Sequence, residues 1–400
     1  MGFFSRSVPV STDPKKIDAL LSRGVAEAIV KEKLREKLLS GRRLRVKLGI
    51  DPTSPDLHLG RSIPLLKLRD FQELGHQVVF IVGDFTAVIG DTSDKDAERP
   101  MLSRETIEKN EKSYREQVGK LLDLSKAEFR YNSEWLAPLT YREIGEHADF
   151  FSVSDFVARE VIARRLKEGK RVSLREVLYP LMQGYDSVAI KADVELGGLD
   201  QKFNLLAGRT MQEKYNQPPQ DILMNPLIDG LDGRKMSSSW GNTIPLTASA
   251  PDMFGKVMSM SDAQVPAYFE LCTRVPMEEI PGMLAGHPKD AKMRLAKEIT
   301  ALYHGLEAAQ KAAESWEDIF SKGNVPKDIK TVSVQKGASY FSVLMEHGLV
   351  ASRSEFGRLE NKGAITDAET GEKIPSERAL IEEDVTLRVG KHRFIKIILK

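Results

Sequence analysis

Four hundred residues, 41% of them hydrophobic, can bury a substantial core, and the length implies two or three domains. The 59 basic and 58 acidic side chains leave a formal net charge of +1, so the overall balance neither advertises nor excludes a nucleic-acid partner, and any RNA-binding surface must come from local clustering. A single cysteine, Cys272, excludes an internal disulfide and a cysteine-rich zinc site, and no apolar run approaches the roughly 20 residues that cross a bilayer, so a cytoplasmic protein with no membrane partner is expected.

The first segment, MGFFSRSVPVST, lacks the long apolar core of a signal peptide and reads as a tail. Asp13 before Pro14 is a good N-cap and first-turn pair. Ile17, Leu20, Leu21, Val25, Ile29, Leu34 and Leu38 then supply helical faces up to Gly41, predicting two helices. From Leu44 to Ile50 apolar and polar residues alternate with the period of a strand that has one buried face. Pro52, Ser54, Pro55 and Asp56 stop that strand, and Ile63, Leu65, Leu66, Leu68, Phe71 and Leu74 carry a helix to Gly75. QVVFIVGD, 77–84, is the near-continuous apolar run of a strand covered on both faces. Strand, helix, strand is a parallel unit, the start of a Rossmann-like α/β domain whose ligands bind beyond the carboxyl ends of its strands. His58 and Gly60 therefore sit where a helix begins, and its unpaired N–H groups and partial positive charge suit phosphate oxygens.

Residues 104–170 are rich in helix formers and charge, 179–215 reads as two helices separated by ELGGLDQ, and QDILMNPLI, 220–228, reads as another strand. Helical content rises after 250, with Leu295, Ile299, Leu302, Leu306 and Ala309 spaced along a long amphipathic helix; KGNVPKDIK reads as a linker.

The segment DLHLGR, with His58, Gly60 and Arg61, resembles the first signature of the class I aminoacyl-tRNA synthetases, His-x-Gly-His, with Arg61 in place of the last histidine. GRKMSSS, 233–239, is similar to their KMSKS loop, with Ser238 replacing the second lysine. Between them, YPLMQGYD and ELGGLDQKFN closely resemble segments that line the amino-acid pocket of tyrosyl-tRNA synthetases, and the tail from 333 onward, with SRSEFGRLENKGAI and LRVGKHRFIKIIL, looks like an S4-type RNA-binding domain. The resemblance implies a Rossmann-like parallel-sheet catalytic domain over 1–245 with a helical, dimer-forming insertion at about 104–170. A helical tRNA-contacting domain over 246–321, a linker over 322–332 and an α+β S4-like domain over 333–400 would follow. The pattern alone also fits solvent-facing helices at 104–170 and an ordinary small domain with solvated charge in the tail.

The activity implied is ligation of tyrosine to its tRNA. Attack of the L-tyrosine carboxylate on the α-phosphate of ATP would release pyrophosphate, and the tyrosyl group would then pass to the 3′ end of tRNA(Tyr). No covalent enzyme intermediate is needed, so catalysis would rest on positioning and on donors for phosphate charge. By resemblance, His58, Gly60 and Thr53 would hold phosphate oxygens, Arg61 would add a forked donor, and Lys235 with Ser237 and Ser238 would close over the polyphosphate. Lys95 and Arg99 would reach the leaving group. Asp51, Gly198, Asp200 and backbone groups near Leu223 and Met224 would hold the nucleotide, with Gln201 contacting substrate.

For tyrosine, the four- and three-residue spacing puts Tyr179, Gln183 and Asp186 on one helix face. The resemblance gives Asp91, Tyr179 and Gln183 to the α-ammonium and Asp186 to the phenol. Lys47 stands where many relatives place a tyrosine; it is expected either to donate to the same phenol or to pair with Asp84. Arg353, Arg358 and Lys362 would contact tRNA phosphates. A homodimer is expected, and Mg²⁺ as the counterion of ATP with no dedicated protein metal site. The competing readings are a tryptophanyl-tRNA synthetase, a small-molecule nucleotidyltransferase with the same loop, and an RNA-binding protein that has lost catalysis.

Overall fold

A computed structural model describes residues 9–91, 101–321, 329–350, 352–368, 370–374, 379–390 and 393–400. The described chain forms two compact units. One takes the residues up to Ser249 together with Lys256–Leu306, and the other takes Ala250–Gly255 with Glu307–Lys400.

The first unit is built on a six-stranded sheet. Its first helix, α1 (Pro14–Leu20), starts at Asp13, whose side chain accepts from the Lys15 N–H. The expected pair of helices over this stretch is interrupted by a short strand, β1 (Glu27–Ile29), before α2 (Lys31–Leu39). The helical spacing of Val25 and Ile29 is overridden by pairing: β1 lies antiparallel against β6 (Asp221–Asn225) at the edge of the sheet. The core unit follows the sequence pattern, with β2 (Arg45–Ile50), α3 (Leu59–Glu73) and β3 (Gln77–Val82), and β2 and β3 pair in parallel with Val46 opposite Val78. Gly75 closes α3 with φ +90°, and a Cβ there would stand 2.6 Å from the Pro9 carbonyl oxygen, so only glycine fits.

Two further strands stand where the sequence pattern predicts none. Within the stretch expected to be helical, β4 (Ala127–Tyr131) pairs in parallel with β3; Ala127, Phe129 and Tyr131 alternate with Glu128 and Arg130, a strand pattern only five residues long, and all five are half-buried. The first half of ELGGLDQ is β5 (Val194–Gly198), between α4 (Leu174–Ile190) and α5 (Lys202–Lys214). The strand order is β1-β6-β5-β2-β3-β4, parallel throughout except for β1. The chain leaves β2 toward β3 on one side and returns to β5 on the other, so the crevice at their carboxyl ends lies where the strand order reverses.

In the second unit, β7 (Thr331–Val334), β8 (Ile365–Asp367), β9 (Val385–Val389) and β10 (Arg393–Leu399) form a sheet of order β7-β10-β9-β8. It carries two helices, α6 (Tyr340–Glu346) and α7 (Arg353–Asn361). Leu344, Phe356, Leu387, Ile395 and Ile397 are its solvent-free core. Phe356 buries one face of α7, whereas Arg353, Arg358 and Lys362 are exposed.

Candidate active site

The loop after β2 is not a free turn. Asn110, Tyr114 and Gln117 of the following helical segment hold the carbonyls of Pro52, Ser54 and Pro55, and the Gln117 side chain accepts from the Leu57 N–H. This fixes His58 as the residue preceding the first turn of α3, in extended conformation, with its ring buried and Nδ1 without a partner. Burial, and then the nearby Arg61 and Lys235 cations, push the imidazole down to about 3, so it is neutral at physiological pH. Gly60, one step into the helix, points its N–H at the Met236 sulfur, 3.2 Å away. The two signature segments thus meet: Ser54 and Ser238 hydroxyls are 3.4 Å apart, and Pro245 forms a bridge with His58.

A cavity of about 420 Å³ opens between these segments and the carboxyl ends of β2, β5 and β6. Arg61 turns into its wall. Its guanidinium donates to the Thr53 hydroxyl (2.9 Å), the Asp51 carbonyl (3.2 Å) and the Tyr114 hydroxyl (3.3 Å). Opposite, Lys235 is paired with Asp200 at 2.8 Å, and the Ser237 N–H is fixed by Asn242. Asp51 follows the end of β2 as a half-buried residue whose carboxylate accepts from Tyr179 (2.9 Å) and Thr86 (2.7 Å); desolvation of the carboxyl outweighs both bonds and raises it to about 6. Gly83 makes room for this arrangement, because a Cβ there would sit 2.0 Å from the Asp51 oxygen.

Tyr179, Gln183 and Asp186 do share one face of α4 and all line the cavity. Asp186 is 4% exposed and accepts from the Trp135 indole at 2.8 Å, with the Asn132 amide at 3.5 Å from its other oxygen. Burial raises its carboxyl to about 7, against the pull of the Lys47 cation and the Trp135 bond. Burial, and then the neighbouring Asp51 and Asp91, raise the Tyr179 phenol well above its usual value. Asp91 accepts from the Gln201 amide at 2.7 Å, bringing the loop after β3 against the β5–α5 turn. Gly198 lies at that turn, where a Cβ would come 2.5 Å from the Asp200 carboxylate.

Lys47 does not pair with Asp84. It is fully buried, with Nζ 2.9 Å from each of three oxygens: the Glu195 carboxylate, the Gln183 carbonyl and the Ser187 hydroxyl. An ammonium has three protons, so none is left to donate to a phenol. Asp84 instead accepts from the backbone N–H groups of Phe85 and Ser133. Leu223 and Met224 also fall short of the site. They lie inside β6 with their backbones engaged by β1 and β5, and the cavity is reached by the next residues, Asn225 to Ile228. Lys95 and Arg99 lie outside the described residues. Sequence reasoning missed Trp135, Asn132 and Glu195. Only Glu195 left a trace, as an acid inside the apolar run Val194–Leu196, matching Lys47 inside VKLGI.

A parallel sheet with a crevice at its order reversal, a helix N-terminus presented there, and a lysine-bearing loop folded over it define the catalytic unit of a class I aminoacyl-tRNA synthetase. A family model described as tRNA synthetases class I (W and Y) matches residues 39–321. A tyrosine–tRNA ligase of Carboxydothermus hydrogenoformans is 45% identical over 98% of this chain and 100% of its own length, and that of Thermotoga maritima 42% identical over 96% and 98%. A mitochondrial tyrosyl-tRNA synthetase of Aspergillus nidulans, C-terminally truncated, shares the fold with a TM-score of 0.64 at 20% identity, covering 76% of this chain and 94% of its own. The chain belongs to the tyrosine–tRNA ligase family of class I tRNA synthetases.

Proposed function

We propose that the protein is an ATP-dependent tyrosine–tRNA ligase that forms tyrosyl-adenylate and pyrophosphate from L-tyrosine and ATP, then transfers the tyrosyl group to the 3′ end of tRNA(Tyr). The observation that carries the reading is Asp186. A carboxyl is kept 4% exposed at the floor of the cavity, on the same helix face as Tyr179 and Gln183. A buried acceptor of this kind rejects phenylalanine strongly, because without the phenol hydroxyl it stays unpaired. Asp186 accepts from that hydroxyl, while Asp91, Tyr179 and Gln183 meet the α-ammonium. Arg61, His58 and the open backbone at Gly60 serve the phosphates. Asp200 and Lys235, an ion pair at 2.8 Å on the cavity wall, serve the nucleotide from one place, with Asp200 taking ribose and Lys235 the pyrophosphate.

Mg²⁺ enters as the counterion of ATP and pyrophosphate; among the described residues no group of three His, Cys, Asp or Glu is placed to hold a metal ion. No helix of the described residues is long and apolar enough to cross a membrane. We place the enzyme in the cytoplasm as a homodimer joined through the helices of the 104–170 segment, where Tyr141, Val153 and Leu166 are exposed. The exposed Arg353, Arg358 and Lys362 of the tail serve tRNA phosphates.

Tyrosine-dependent exchange of labelled pyrophosphate into ATP, without tRNA, tests the reading. Exchange is expected with tyrosine and not with phenylalanine or tryptophan, and is lost in Asp186→Asn. Absence of exchange with all three amino acids, from folded protein with magnesium, overturns it.

A further inference from the structure

We propose that Glu195, which no part of the reaction touches, is the positioning residue that sets which end of the Gln183 amide faces the substrate ammonium. Glu195 lies on β5 directly opposite Lys47 on β2 in the parallel register, and is 1% exposed. Its carboxylate collects four donors: Lys47 Nζ (2.9 Å), Gln183 Nε2 (3.1 Å), the Ser187 hydroxyl (3.1 Å) and the Gln220 amide. A side-chain amide has one donating and one accepting end. Because the Gln183 nitrogen is turned toward Glu195, its carbonyl oxygen is the end left for the cavity that Gln183 lines. An oxygen attracts an ammonium and a nitrogen-borne pair of protons repels it, so the orientation decides whether Gln183 helps or opposes amino-acid binding.

Lys47 completes the device. It balances the buried carboxylate and donates to the Gln183 backbone carbonyl, so the same ion pair holds both the backbone and the side chain of Gln183. A carboxylate has only accepting atoms, and so cannot tolerate the flipped amide, which would set oxygen against oxygen. The inference rests on the reading of the cavity as a tyrosine site.

The test compares Glu195→Met, which removes the acceptor, with Glu195→Gln, which keeps one. Both leave Lys47 without its counterion, so that cost is common. If Glu195→Met does not fold, the same pair is made with Lys47→Met added to each, because apolar replacement of both ions is far better tolerated than loss of one. Dissociation constants are measured for L-tyrosine and for 3-(4-hydroxyphenyl)propionate, which keeps the phenol and carboxylate and lacks the ammonium. The methionine variant is expected to bind tyrosine about tenfold or more weakly than the glutamine variant, the size of a hydrogen bond to a charged group, with the ammonium-free analogue bound equally by the two. Equal tyrosine affinity in the two variants, or parallel loss of tyrosine and analogue, overturns the inference. Failure of the unmodified protein to bind tyrosine overturns instead the reading of the site.

Discussion

The raised carboxyl of Asp186 makes tyrosine use and folding stability respond to pH in linked ways. The group goes from an ordinary 3.8 to about 7 in the folded protein, chiefly through burial. Since the folded value lies above the unfolded one, the protonated carboxyl favours folding. That contribution is fully present below about pH 4 and is lost as pH rises through 7. A rise of that size corresponds to roughly 4 kcal/mol. Asp186→Asn removes the titration while leaving an oxygen for the Trp135 indole, so the variant should gain stability over the unmodified protein as pH rises from 4 to 7, and the difference should level off above 7.

Phenol recognition runs the opposite way. The ionised carboxylate is the better acceptor, so kcat/KM for tyrosine in pyrophosphate exchange should fall about tenfold per unit below a midpoint near 7, the value of the free enzyme. The assay is exchange from pH 5.5 to 8.5 with saturating ATP, beside thermal melts of both proteins in the same buffers. A flat kcat/KM profile together with a pH-independent difference in Tm would refute the reasoning.

Three further substitutions probe the same cavity. Trp135→Phe removes the indole donor at 2.8 Å from Asp186, which should move the acid limb of the tyrosine profile to still higher pH and weaken tyrosine binding by about 1.5–3 kcal/mol, read by titration of tyrosine at pH 7.5. Arg61→Ala deletes a guanidinium braced by Thr53, Asp51 and Tyr114; single-turnover activation should slow by about 10²–10³ with the KM for tyrosine little changed. Gly83→Ala places a methyl 2.0 Å from the Asp51 carboxylate and 2.5 Å from the Thr86 hydroxyl, so it should cost about 1–3 kcal/mol in urea melts and abolish exchange by displacing the partner of Tyr179.

What was legible in the sequence was whatever depends on spacing along one element. The strand over Leu44 to Ile50, the apolar run of β3 and the one-face spacing of Tyr179, Gln183 and Asp186 all survive in the structure because they are local, although the buried Lys47 gives β2 a second covered face that its alternation did not announce. What failed depends on pairing between distant segments. β1 is a strand because β6 offers it an edge, although its three residues have no apolar alternation, and the five-residue alternation of β4 is too short to stand out from its helix-rich surroundings without β3 beside it. The site shows the same division. Trp135 reaches Asp186 across 51 positions of chain, and no pattern around either residue announces the bond.

Lys47 and Glu195 fall between these cases, and together they show why Lys47 takes neither of its two expected partners. Each is a charged residue inside an apolar strand, a placement that costs several kcal/mol unless an opposite charge lies within reach. VKLGI and VELGG carry opposite charges at the same position of similar pentapeptides. Parallel neighbours align equivalent positions, and here the register sets Lys47 opposite Glu195. Asp84 lies beyond the end of β3, among turn residues whose backbone N–H groups already occupy it, and could not relieve a cation in the middle of β2. The choice between the two acids was therefore decided by strand order. With β5 formed from the segment between α4 and α5 and paired with β2, the buried lysine has one acid opposite it, and that acid is also the anchor of Gln183.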